Sequence, residues 1–82
     1  MKLFLTPQAK KDYSKLPKAE QNKAVRKLDL LEKAPLIGKK LSGELGDLRC
    51  LRFWPYRIIY HIEQKKKEIW IDHIIHRQGA YK

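Results

Sequence analysis

From Leu48 onward the chain reads as three short runs rich in β-branched and aromatic residues: Leu48–Phe53, Tyr56–Ile62 and Ile69–His76. Trp54-Pro55 divides the first pair and Lys65-Lys66-Lys67-Glu68 the second. Connections this short suit antiparallel hairpins, because a parallel crossover needs a dozen or more residues. This run of strands restricts the fold more than any other feature of the sequence.

The first half has a different period. Lys2 to Leu5 is a short apolar segment suited to a first strand. Thr6-Pro7 then reads as a helix N-cap followed by proline at the first helical position, where a missing N–H costs nothing. Ala9, Tyr13 and Leu16 recur at helical spacing, predicting a helix over Pro7–Lys15. Pro17 punctuates, and a second helix is expected over Lys18–Lys33, with an apolar stripe of Ala24, Val25, Leu28 and Leu31. Lys23, Arg26, Lys27 and Lys33 fall elsewhere on that cylinder, and Ala34-Pro35 ends it. Pro35–Asp47 holds three of the four glycines and reads as a long loop.

The expected order is therefore β-α-α-β-β-β. The expected fold class is α+β, with two N-terminal helices packed on one face of a mostly antiparallel four-stranded sheet. Eighty-two residues make one domain, spanning 1–82, without a repeat or a linker.

Period-2 geometry assigns the strand side chains to faces. Tyr56, Ile58, Tyr60 and Ile62 share one face, opposite Arg57, Ile59 and His61. Ile69, Ile71, His73 and Ile75 share a face, opposite Trp70, Asp72, Ile74 and His76. Leu51 and Phe53 oppose Arg52. With the apolar sets turned to the helices, pairing Phe53 with Tyr56 brings Leu51 to Ile58 and Arg52 to Arg57. A four-residue loop at Lys65–Glu68 would bring Ile62 to Ile71 and Arg57 to His76. One row across three strands then reads Arg52, Arg57, His76. Proline in the second loop position fits poorly in a regular two-residue hairpin. Like charges directly opposite destabilise a sheet, so a fold that places them together usually has an anion for them to hold.

Charge agrees. Nineteen Lys and Arg against nine Asp and Glu leave +10. That balance points to a polyanionic partner, nucleic acid before acidic protein and anionic membrane. Four of the five arginines (Arg49, Arg52, Arg57 and Arg77) fall in the last 34 residues. Arginine is the planar, bidentate phosphate ligand. Lys39, Lys40 and Lys82 extend the candidate RNA-binding set. The lone Cys50 excludes an internal disulfide and a cysteine-built zinc site. No apolar run approaches the ~20 residues of a membrane span, and Met1-Lys2-Leu3-Phe4-Leu5 is too short for a secretory core, so a cytoplasmic protein is expected.

The run Leu48-Arg49-Cys50-Leu51-Arg52-Phe53-Trp54-Pro55-Tyr56-Arg57-Ile58-Ile59-Tyr60 resembles the "LRxLRxxxYRIIY" signature of RelE/ParE-superfamily toxins. His76-Arg77-Gln78-Gly79-Ala80-Tyr81 is similar to their "HRxxxY" ending. Thr6 to Asp12 and Leu41-Ser42-Gly43-Glu44-Leu45 resemble the family's helix start and pre-strand loop. The resemblance implies the toxin of a toxin–antitoxin pair. Its closest type is the RelE-like mRNA endoribonuclease that cuts, commonly on the ribosome, by attack of a 2′-OH on the adjacent phosphate. The implied partners are an acidic antitoxin, mRNA and the ribosome, with no metal and no cofactor. In that chemistry Arg57 braces the phosphate with Arg52, His76 transfers a proton, Tyr81 donates a proton or stacks on a base, and Arg77 adds a phosphate contact. A ParE-like gyrase inhibitor without nuclease activity is the alternative on the same fold. The sequence departs from the family at Phe53-Trp54-Pro55, where a small, polar turn is usual. It also has one residue after Tyr81, where some relatives carry a further helix.

Ordinary roles compete for several of these residues. Arg57 could pair with Asp72 or Glu63, and Tyr81 could pack its ring over the sheet end. His61 and His73 suit structural positions, Cys50 a half-buried filler, and Lys65 to Lys67 a solvated hairpin tip.

Overall fold

A computed structural model describes residues 1–41 and 48–76. The chain runs β1 (Lys2–Leu5), α1 (Pro7–Ser14), α2 (Lys18–Lys33), β2 (Lys39–Lys40), β3 (Arg49–Phe53), β4 (Tyr56–Glu63) and β5 (Glu68–His76). The sheet order is β1-β5-β4-β3-β2; β1 lies parallel to β5 and every other pair is antiparallel. The α+β class stands, with five strands among the described residues in place of four. The extra strand, β2, is two lysines inside the expected loop, pairing Lys39 with Cys50 and Lys40 with Arg49. Two exposed lysines carry no period-2 signal, so only their partner strand defines them.

Both helices form where their punctuation sets them. The Thr6 hydroxyl accepts the Ala9 N–H at 3.1 Å, capping α1 ahead of Pro7. Gln21 donates its side-chain amide to the Tyr13 carbonyl at 3.1 Å, tying α2 back to the end of α1. Ala9, Leu16, Ala24, Leu28 and Leu31 are buried against Phe53, Ile58, Tyr60, Ile69, Ile71 and Ile74. Val25, expected in the α2 stripe, is exposed instead; one position past Ala24 turns it about 100° off the buried line.

The β3–β4 register is the expected one: Phe53 opposes Tyr56, Arg52 opposes Arg57 and Leu51 opposes Ile58. The Trp54–Pro55 peptide between them is cis.

The β4–β5 register differs. Glu63 opposes Glu68 and Ile62 opposes Ile69, so the loop is 64–67, with Lys67 at φ 54°. Further along, Tyr60 opposes Ile71 while its neighbour Ile59 opposes His73. Asp72 is the extra residue of a β-bulge. The bulge resets the phase of β5: Ile69, Ile71 and then Ile74 face the helices, and His73 is exposed. An unbroken alternation would have buried His73 and Ile75.

Helix α1 holds the bulge in place. Thr6 donates its N–H to the Ile71 carbonyl at 3.0 Å and its hydroxyl to the Asp72 carbonyl at 3.2 Å. The Ile74 N–H donates to Asp12 Oδ2 at 3.1 Å. Backbone groups of β5 that β1 is too short to pair thus find partners on the helix.

Candidate nucleic-acid interface

The site grows from the β3–β4 hairpin. Phe53 is buried and stacks on Tyr56 with ring centroids 5.5 Å apart, fixing the end of the ladder. On the face away from the helices, that same register sets Arg52 directly across from Arg57. The two arginines, with Trp54, Pro55 and Tyr56, line a hollow of ≈ 320 Å³ at the turn. Two guanidinium-bearing side chains in one hollow suit an anion that accepts from both, such as a phosphate.

His76 does not join that row. The bulge shifts it opposite Tyr56, and Arg57 opposes Ile75. His76 meets the Tyr56 ring edge-on, with centroids 5.3 Å apart. The row across three strands is therefore Phe53, Tyr56, His76, and it lies on the helix side of the sheet. Tyr56 belongs to both groups, since it lines the arginine hollow and touches His76. The arrangement wraps around one end of the sheet instead of lying flat on one face. Tyr56 is a candidate that alternation along the strands does not single out. The adjacent apolar pair Ile74-Ile75 was the available signal, because a strand that changes phase leaves two neighbouring residues both suited to burial.

The other candidates disperse. Arg49 sits at the opposite end of β3, on the face of Tyr60, and donates from Nη1 to the Gly38 carbonyl at 3.0 Å. Tyr60 is fully buried; its hydroxyl donates to the Pro35 carbonyl at 2.7 Å and accepts the Gly38 N–H at 2.9 Å. Burial pushes the Tyr60 phenol above its ordinary value, against the Gly38 hydrogen bond and the nearby Arg49 charge. Lys39 and Lys40 are exposed on the edge strand, and Lys40 shares a second hollow with Arg49 and His61. Asp72 engages His61, with Oδ2 2.6 Å from Nδ1, and Glu63 approaches the same ring at 3.5 Å. Arg77, Tyr81 and Lys82 lie outside the described residues. Among the described residues, no three His, Cys, Asp or Glu side chains gather as a metal site would require.

The family described as the ParE toxin of the type II toxin–antitoxin system parDE matches residues 3–81. No curated protein matches the chain. A chain of the RelBE2 toxin–antitoxin complex from Mycobacterium tuberculosis superposes with a TM-score of 0.86 at 29% identity, over 93% of this chain and 96% of that one. In the archaeal RelE–RelB complex from Pyrococcus horikoshii the corresponding values are 0.77, 31%, 96% and 97%. A chain of the chromosomal ParDE system from P. aeruginosa gives 0.66 at 22%, over 93% and 95%, a likeness of fold.

Proposed function

The chain belongs to the RelE/ParE superfamily of type II toxins, and from that membership we propose that this toxin acts by cutting messenger RNA, on the ribosome. The observation that carries the reading is Arg52 directly opposite Arg57 in one hollow, with Tyr56 linking that hollow to His76.

The reaction is internal transesterification. The ribose 2′-oxygen bonds to the adjacent phosphorus, the bond to the 5′-oxygen breaks, and a cyclic phosphate and a 5′-hydroxyl result. Negative charge builds on the non-bridging oxygens of the phosphorane. Preorganised cations placed there lower the barrier more than they stabilise bound substrate. Arg52 and Arg57 fill that role. One group must take the 2′-proton and another supply a proton to the leaving oxygen. His76 transfers one of these protons, with its ring oriented by the edge contact to Tyr56. Tyr81 donates the other proton or stacks on a base, and Arg77 adds a phosphate contact. Lys39, Lys40 and Lys82 extend the basic surface, while Arg49 also donates from Nη1 to the Gly38 carbonyl. Neither metal nor cofactor enters this scheme.

A cognate antitoxin is the protein partner, by analogy with the toxin–antitoxin complexes of the similar chains. An acidic antitoxin segment suits the +10 charge, and its affinity should fall as salt screens exposed pairs.

The family match favours a second reading, inhibition of DNA gyrase without nuclease activity. The deciding experiment expresses the protein without antitoxin, then assays programmed ribosomes for mRNA cleavage and purified gyrase for supercoiling. Cut mRNA with normal supercoiling supports the nuclease. Stalled gyrase with intact mRNA overturns it.

A further inference from the structure

The β3–β4 turn separates its two aromatic residues: Phe53 turns into the core at 5% exposure, and Trp54 stands out at 69%. Trp54 and Arg52 line the arginine hollow and also a larger neighbouring one of ≈ 590 Å³. The rest of that second hollow is Phe53 and one face of α2: Lys23, Arg26, Lys27 and Leu30. Those four are spaced i, i+3, i+4 and i+7, a second stripe beside the buried one of Ala24, Leu28 and Leu31.

The charge in this groove is one-sided. Among the described residues, no Asp or Glu lines either hollow. Glu20 engages Lys23 at 3.4 Å, which leaves Arg26, Lys27 and Arg52 as the main lining without a carboxylate partner among the described residues. The α2 carboxylates Asp29 and Glu32 line a different hollow, with Met1 and Lys33.

We propose that Trp54 is a base-stacking platform that carries single-stranded RNA from the Arg52–Arg57 hollow onto the basic groove of α2. A cationic track with an exposed aromatic ring is what sequence-tolerant single-strand binding uses, since every base has a flat π face. Arg52 sits where both hollows meet, so it can bridge successive phosphates. Continuity with the arginine hollow favours a nucleic acid over an acidic peptide, because Arg52 and Trp54 line both hollows and give a strand held between Arg52 and Arg57 a basic, aromatic path onto α2. The proposal rests on RNA being the ligand of that hollow; it does not require cleavage.

The test uses a short 2′-O-methyl oligoribonucleotide, which lacks the attacking hydroxyl, so binding is read apart from cutting. In a Trp70→Phe background Trp54 is the sole indole, and saturable quenching of its fluorescence is expected on titration. By anisotropy of labelled oligonucleotide, Trp54→Ala should weaken binding about 5- to 100-fold, and Trp54→Phe should restore most of it. Neutralising the groove with Arg26→Gln/Lys27→Gln should flatten the slope of log K against log salt by about 1.4, two single-strand phosphate contacts' worth. Circular dichroism melts confirm that each variant is folded. Wild-type affinity in Trp54→Ala, or an unchanged salt slope in the double variant, overturns the proposal. So does loss of acidic-peptide binding with RNA binding intact, which would make the groove a protein-docking surface. Trp54-dependent binding by a protein that leaves programmed ribosomes uncut supports the platform and overturns only the cleavage reading.

Discussion

The carboxylate of Asp12 accepts the backbone N–H of Ile74 at 3.1 Å, joining α1 to a strand 62 residues further along the chain. That bond lies just past the bulge at Asp72, where β5 changes phase and His76 turns to Tyr56. It links a helix side chain to the shape of the site.

Asp12→Ala should therefore destabilise the fold. The Ile74 N–H is partly buried, and leaving such a donor unmatched costs about 1–3 kcal/mol. For a domain of this size about 1 kcal/mol lowers Tm by roughly 4–8 °C. Asp12→Asn keeps a carbonyl acceptor and should lose less. Thermal melts give the ranking, and hydrogen exchange at the Ile74 amide should accelerate in the alanine variant. An Asp12→Ala protein that melts with wild type would show that the bulge is held by other contacts.

Arg57→Ala should lower single-turnover cleavage on programmed ribosomes by about 10²–10³, the usual effect of losing one preorganised contact to transition-state charge. Arg57→Lys should recover only part, because a point charge cannot reproduce the two-pronged guanidinium. Arg52→Ala should fall in the same direction, since its partner position shares the hollow. Cleavage at the wild-type rate in Arg57→Ala would remove this hollow from the reaction.

His76→Ala should cost about 10²–10⁴ in the same assay if the imidazole moves a proton. Tyr56 then separates ring from hydroxyl. Its contact with His76 is between rings at 5.3 Å, so Tyr56→Phe should retain the orientation and Tyr56→Ala should lose it. Circular dichroism melts on each variant separate lost chemistry from lost fold. Equal damage from Tyr56→Phe and Tyr56→Ala would mean that the phenol itself does the chemistry.

Most of this architecture was readable because local signals and long-range packing agreed. Thr6-Pro7 and Pro17 punctuate the helices, and alternation through Tyr56, Ile58, Tyr60 and Ile62 fixed the central strand's buried face. The Arg52–Arg57 pairing followed, since a one-residue slip would have turned Leu51 and Ile58 outward. The position of His76 was not readable in the same way. The bulge that sets it is stabilised by Thr6 and Asp12, side chains distant in sequence, so alternation along β5 alone predicts the wrong face. Strand β2 was hidden for a related reason: Lys39 and Lys40 are ordinary loop residues until Cys50 and Arg49 pair with them.

The Tyr60 hydroxyl gives the last prediction, and a control on the fold away from the arginine hollow. It links the Pro35 carbonyl and the Gly38 N–H, pinning the segment that leads into β2. Tyr60→Phe strands both partners and should cost about 1–3 kcal/mol. Gly38→Ala should destabilise as well, because an added Cβ would lie 2.6 Å from Tyr60 Cε1 and 2.8 Å from Cζ. These are ring atoms, so Tyr60→Phe should fail to rescue Gly38→Ala. Burial raises the Tyr60 phenol above its ordinary 10.0, so the folded chain keeps the proton where the unfolded chain releases it. The sign follows by linkage: the contribution is complete below about pH 10 and is lost as pH rises through the folded value. Denaturant melts of wild type and Tyr60→Phe between pH 8 and about 11 isolate it from the lysines, which both proteins share. The stability gap should hold steady up to about pH 10 and then narrow. A gap that widens above pH 10 would mean that the folded chain favours the phenolate, reversing the assigned direction.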